Sequence, residues 1–176
     1  MQEPALHDRV RESVLSAWRT TNRASLYLIE QIPADLWAAP VPGMPHRTIR
    51  MIAGHLHNAR CRWLRTLGLP HGIPVPVRVD QRRVSRRELG AALTRSGRGM
   101  EALLRLAFES GGSVPPTPCY TWRNLPLDVG HVFAYFVAHE AHHRGQIVMA
   151  ARQLSMRLPS TVTNGLWQWT ARAKEL

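Results

Sequence analysis

Proline and glycine punctuation constrains this chain more than any other feature. Pro33, the run Ala39-Pro40-Val41-Pro42-Gly43-Met44-Pro45, the stretch from Gly68 to Pro76, and the stretch from Gly111 to Pro118 all interrupt helix. Proline lacks the N–H that a helix interior needs, and glycine loses more backbone freedom there than any other residue. Between the breaks, apolar residues recur at spacings of three, four or their sums. In the first segment, about residues 4–31 and its edge, Val10, Val14, Ala17, Trp18, Leu28 and Ile32 make one stripe. The second, about 47–67, carries Ile49, Ile52, Leu56, Ala59 and Trp63. Ser85-Arg86-Arg87-Glu88 fits a capping box and opens the third, which runs to about Phe108, with Gly97 and Gly99 weakening its middle. The fourth, about 127–156, is the longest apolar-periodic stretch, and a tail with Leu166, Trp167 and Trp169 predicts a last short helix packed back on the body. No β-type alternation or internal repeat stands out. The pattern predicts an all-α four-helix bundle with a short C-terminal tail helix, as one domain over 1–176.

The 176 residues, 44% of them hydrophobic, suffice for one core. No apolar run approaches the ~20 residues of a membrane span, and the N-terminus has no signal-peptide core, so a cytoplasmic location is expected. Cys61 and Cys119 then read as reduced thiols rather than a disulfide. A net charge of +11 invites a nucleic-acid reading. However, 22 of the 23 basic residues are arginines spread along the chain, and the densest group, Arg78 to Arg87, has no aromatic residue to stack bases. A solvated arginine-rich surface is the reading preferred, with nucleic acid a remote third alternative.

Chemistry concentrates in the histidines. His139-Glu140-Ala141-His142-His143-Arg144-Gly145-Gln146 places His139 and His143 one turn apart on one helix face, a spacing at which both imidazoles reach one divalent ion. At ~100° per residue, Val132, Tyr135, Phe136 and Gln146 share that face, which turns the pair toward the other helices. A third ligand must come from a facing helix. In Gly54-His55-Leu56-His57, His55 borders the apolar stripe, whereas His57 points away from it and is expected in solvent. The predicted metal ligands are therefore His55, His139 and His143, with a position left for water or substrate. The letters His-Glu-x-x-His also match the zincin peptidase motif, but Gln146 and Met149 stand where an extended motif needs glycine and histidine. After Glu140 the only acidic residue is Glu175.

Pro45-His46-Arg47-Thr48-Ile49, Gly54-His55-Leu56-His57-Asn58-Ala59-Arg60 and Trp63-Leu64, taken with Ala138-His139-Glu140-Ala141-His142-His143-Arg144-Gly145-Gln146-Ile147, resemble the DinB family. Its superfamily includes bacillithiol transferases and mycothiol-dependent maleylpyruvate isomerases. The resemblance covers about residues 5–156. It implies an up-up-down-down bundle, a homodimer, and a divalent metal, zinc or nickel, on His55, His139 and His143. It also implies a low-molecular-weight thiol as co-substrate.

The expected activity is that of a metal-dependent enzyme acting on a small molecule, of thiol S-transferase or hydrolase type. The alternative is a non-catalytic, metal-stabilised stress or interaction protein. Tyr135, one turn before His139, is a candidate proton donor or orienting hydroxyl, or else a core tyrosine bonded to backbone. Glu140 or Gln146 is expected to orient a ligand imidazole or a bound water, since ligating histidines donate their second N–H to an acceptor.

Overall fold

The computed structural model describes residues 6–121 and 123–175. Four long helices carry the fold: α1 (Leu6–Gln31), α3 (Ile49–Trp63), α4 (Arg86–Glu109) and α5 (Val129–Gln153). A short α2 (Ala34–Ala38) and a small antiparallel hairpin, β1 (Pro40–Val41) with β2 (Met44–Thr48), join α1 to α3. The sequence pattern had not indicated this hairpin. Two short helices, α6 (Ser160–Gly165) and α7 (Trp169–Lys174), stand in place of the single tail helix expected.

Local chemistry sets the ends. The Thr48 hydroxyl accepts from Met51 N–H, Ser85 and Glu88 form the full capping box, and Asp128 accepts from His131 N–H. Each satisfies backbone donors that have no partner inside the helix. The N-terminal boundary expected near Pro4 lies outside the described residues.

The core divides into two clusters, one at each end of the bundle. One gathers Leu28, Ile32, Ile49, Ile52, Leu89, Leu93 and Ile147; the other gathers Leu15, Trp18, Trp63, Leu67, Met100, Leu104, Val132 and Phe136. Reading the residue numbers through the clusters gives the helix directions. α1 and α5 run from the second cluster to the first, and α3 and α4 run the other way. The bundle is thus up-down-down-up, a correction to the up-up-down-down order that the resemblance suggested. The links explain it. The α1–α3 link stays at one end, and the α4–α5 link closes on itself at the other, with Val114 N–H on Leu127 O and Val129 N–H on Gly112 O, both 2.8 Å. Only the α3–α4 link travels the length of the bundle.

That link turns through a π-helical stretch (Leu64–Gly68) and a 3₁₀ turn (Leu69–His71), then runs back along α3 as an extended strap. Ile73 packs in one cluster and Val84 in the other. Asn58 receives Val79 N–H at 2.9 Å and donates to Val79 O at 3.0 Å, a two-point clamp. The strap covers the face of α3 that carries His57, so this residue is fully buried, not solvated as its wheel position suggested. Its Nε2 lies 2.9 Å from Val77 O and its Nδ1 3.0 Å from Ser96 Oγ. A carbonyl only accepts, so Nε2 carries the proton and Nδ1 accepts from Ser96.

α1 packs on α4 and α5. The Trp18 indole donates to Gly97 O at 2.9 Å, and a Cβ at Gly97 would come within 2.7 Å of the Asn22 amide. Gly97 therefore serves close helix approach as well as lowering helix propensity. Val10, assigned to the apolar stripe, is exposed; Leu15, Ala24 and Ile29 fill the core instead. The tail docks on α1 through Arg23 to Glu175 (2.7 Å) and Arg172 over the Tyr27 ring (3.9 Å), while Trp167 remains in solvent.

Candidate metal centre

α3 and α5 pack against each other and bring three imidazoles together. One ring nitrogen from each of His55, His139 and His143 lies within 4.8 Å of the other two. Ring centroids are 4.7 Å apart for His55 and His143, 4.5 Å for His139 and His143, and 5.4 Å for His55 and His139. The Nε2 atoms of His139 and His143 stand 3.2 Å apart. Two nitrogens at about 2.0 Å from one tetrahedral ion are separated by roughly 3.3 Å, so the pair already has the spacing a shared cation requires.

Gln146 fixes one ligand's orientation. Its Oε1 lies 2.8 Å from His143 Nδ1, and its Nε2 lies 3.0 Å from His142 Nε2. An amide oxygen only accepts, so His143 is protonated at Nδ1 and turns the Nε2 lone pair into the cluster. Of the two residues expected to orient an imidazole, Gln146 is the one that bonds a histidine of the cluster.

The rings are held neutral. Burial pushes His55 down to about 4, helped by the nearby His143 and by Arg47 and Arg62. Burial likewise lowers His139 to about 4, and His143 adds to the effect. His143 is also lowered by burial, against the opposing bond to Gln146. At neutral pH each ring keeps one nitrogen lone pair available to a cation and one N–H to donate. The donor set fits a divalent transition metal: three imidazoles suit zinc or nickel, whereas magnesium and calcium take oxygen ligands.

The structure does not bring Glu140 to an imidazole. Its side chain is buried, with Arg60 Nε at 2.9 Å and Ser25 Oγ at 2.6 Å. Arg144 donates to the same Ser25 Oγ at 2.9 Å, and the Arg60 guanidinium lies 5.1 Å above Trp18. Burial alone would raise the carboxyl's pKa, but Arg60 and Ser25 hold it below the ordinary range. Its carboxylate is therefore committed to α1 and α3, which corrects the expectation that it orients a ligand and leaves the zincin letters without their general base.

Arg60 and Ser25 escaped the sequence reading, although a signal existed. Arg60 follows Leu56 by one turn on the inward stripe, and Glu140 follows Phe136 in the same way. Two opposite charges on inward positions are the mark of a buried pair.

Tyr135 stands at the rim, 38% exposed, its ring nearly parallel to His139 (19°) at 6.2 Å and edge-on to Trp63 at 5.3 Å. It is not a core tyrosine bonded to backbone. Beside the triad a cleft of about 330 Å³ is lined by His55, His139, Tyr135, Trp63, Arg62 and Asn124. A second cleft of about 550 Å³, more apolar, includes Met44, Arg47, Gln146 and Met149. No helix among the described residues is long and apolar enough to cross a membrane.

No curated protein and no solved structure matches the chain. The DinB family matches over residues 1–173, nearly the whole length, and the histidines that carry the resemblance are those that converge in space. The chain belongs to the DinB family.

Proposed function

We propose that the protein is a metal-dependent enzyme acting on a small molecule, with His55, His139 and His143 as ligands to zinc or nickel and a thiol S-transfer or hydrolytic reaction. The observation that carries this reading is the triad's incompleteness: three neutral imidazoles converge, and His55 and His139 also line an open cleft. Structural zinc sites are closed by four protein ligands, whereas catalytic ones keep a position for water or substrate. Among the described residues no fourth His, Cys, Asp or Glu joins the group. A divalent ion held by uncharged ligands would supply undiminished positive charge, lowering the pKa of a water or thiol bound beside it.

The protein's own residues perform the remaining tasks. Gln146 holds the His143 ring in its ligating tautomer. The Tyr135 hydroxyl, at the rim, is positioned to give or take a proton from a substrate in the cleft. Trp63 and Tyr135 wall one side of that cleft. Its size, at the small end for ligand sites, suits a small molecule and not a peptide.

Elemental analysis of the purified protein is the test, alongside the His55→Ala and His143→Ala variants. The expected result is metal in the parent, none in the variants, and a metal-free protein that stays folded by circular dichroism. A parent that binds no zinc or nickel would refute the reading. Unfolding on metal removal would make the site structural.

A further inference from the structure

The cleft beside the triad is lined by hydrogen-bond donors with no acid to oppose them. Arg62 is exposed, and its guanidinium has no partner among the described residues. The Tyr135 hydroxyl likewise has none, and Asn124 uses only its Oδ1, accepting from the Tyr120 hydroxyl at 3.4 Å, so its amide N–H₂ remains available. Among the described residues no Asp or Glu lines this cleft or the second one, where Arg47 supplies another cation. Glu140, the nearest buried acid, is neutralised by Arg60 and Arg144. Potential in this part of the molecule is therefore positive before any metal is added, and the donors line the same cleft as His55 and His139. A guanidinium beside an amide and a phenol suits a planar carboxylate, which takes paired N–H bonds from arginine.

We propose that Arg62, assisted by Asn124 and Tyr135, is the specificity element of this site, and that the molecule entering the cleft carries a carboxylate at the end remote from its reacting atom. The inference rests on the proposed metal site for that reacting end, but the carboxylate seat is built by residues outside the triad. Trp63 gives the connecting carbon atoms an apolar wall. The same arrangement disfavours cationic substrates, which would meet Arg62 at the mouth.

The test uses cobalt(II)-loaded protein and two probes, 3-mercaptopropionate and 2-mercaptoethanol, which share a thiol and differ in charge. Sulfur-to-cobalt absorption reads the metal end, and calorimetry reads total affinity. The expected result is an absorption band with both thiols and about fivefold tighter binding of the acid. That advantage is lost in Arg62→Gln and kept in Arg98→Gln, which removes an equal charge from α4. Bands with both thiols but no advantage for the acid, or an advantage that survives in Arg62→Gln, overturn the carboxylate seat and leave the metal site standing. Absence of any band, with Arg62-dependent binding of the acid still seen by calorimetry, sinks the thiol reading of the metal site and upholds the seat. Absence of both signals overturns both.

Discussion

Helix α5 carries two polar clusters on adjacent faces, and they differ in completeness. On one side Glu140 has both oxygens claimed, by Arg60 and Ser25, and Arg144 closes the group onto α1. On the other side His139 and His143 turn their Nε2 atoms toward each other at 3.2 Å beside His55, with only a side-chain amide behind His143. The strap over α3 repeats the contrast at closer range. His57, two residues from His55, has Val77 O on one nitrogen and Ser96 on the other. Polar groups that satisfy each other inside the protein hold the fold. Groups that converge without satisfying each other are held ready for something brought from outside.

Replacing a member of the closed cluster should give the largest effect. Glu140→Gln keeps the shape of the side chain but leaves Arg60 as a buried cation, and Arg144 as a partly buried one, without their counter-charge. Removing one partner from a buried pair costs about 3–5 kcal/mol. Urea unfolding should show that loss, with metal stoichiometry unchanged in the protein that still folds. A triple replacement of Arg60, Glu140 and Arg144 by methionine should recover most of it, because the desolvation penalty disappears together with the attraction. If Glu140→Gln instead abolished metal uptake while leaving stability alone, the division between the clusters would be wrong.

His57→Ala tests the same division on α3. It strands the Val77 carbonyl, leaves the Ser96 hydroxyl with Leu93 O alone, and opens a cavity under the strap, together worth about 2–4 kcal/mol. Amide exchange should rise along the strap, at Val79 first, and metal affinity should hold. An unchanged exchange pattern would show that Asn58 alone clamps the strap.

These contrasts also show what a linear sequence can convey. The triad was legible because a helix is rigid: residues four apart share a face, and a residue bordering the apolar stripe looks toward the partner helix. His55, His139 and His143 needed nothing more. The start of α4 was similarly readable from the Ser85–Glu88 box. His57 was not, because its burial depends on the path of a link whose residues, Gly72 to Val84, carry no periodicity. The helix directions were hidden for the same reason, since they follow from which link crosses the bundle. Gly97 read as a weakness in α4 because its use, the approach of Asn22 and Trp18 from α1, is a long-range contact. Glu140 shows the converse hazard: its place in a familiar run of letters pointed to chemistry, while its neighbours direct it to the core.

Gln146 is the residue through which the open cluster touches the closed kind of bonding, and it gives the most discriminating, if smallest, prediction. Its Oε1 fixes the His143 tautomer, and its Nε2 ties that arrangement to His142. Gln146→Ala leaves the His143 ring free to turn and to protonate either nitrogen, so part of the ligand must be reordered whenever metal binds. Loss of such a partner lowers metal affinity by about 10–100-fold. Stability of the metal-free protein should move by no more than about 0.5 kcal/mol, because the side chain is only partly buried and spans no core contact. Gln146→Glu should retain affinity, since a carboxylate accepts the same Nδ1 proton more strongly. Competition titration against a chelating dye measures all three proteins. Equal affinity in Gln146→Ala and the parent would mean that packing against His55 and His142 already orients His143, and the open cluster would then be as self-sufficient as the closed one.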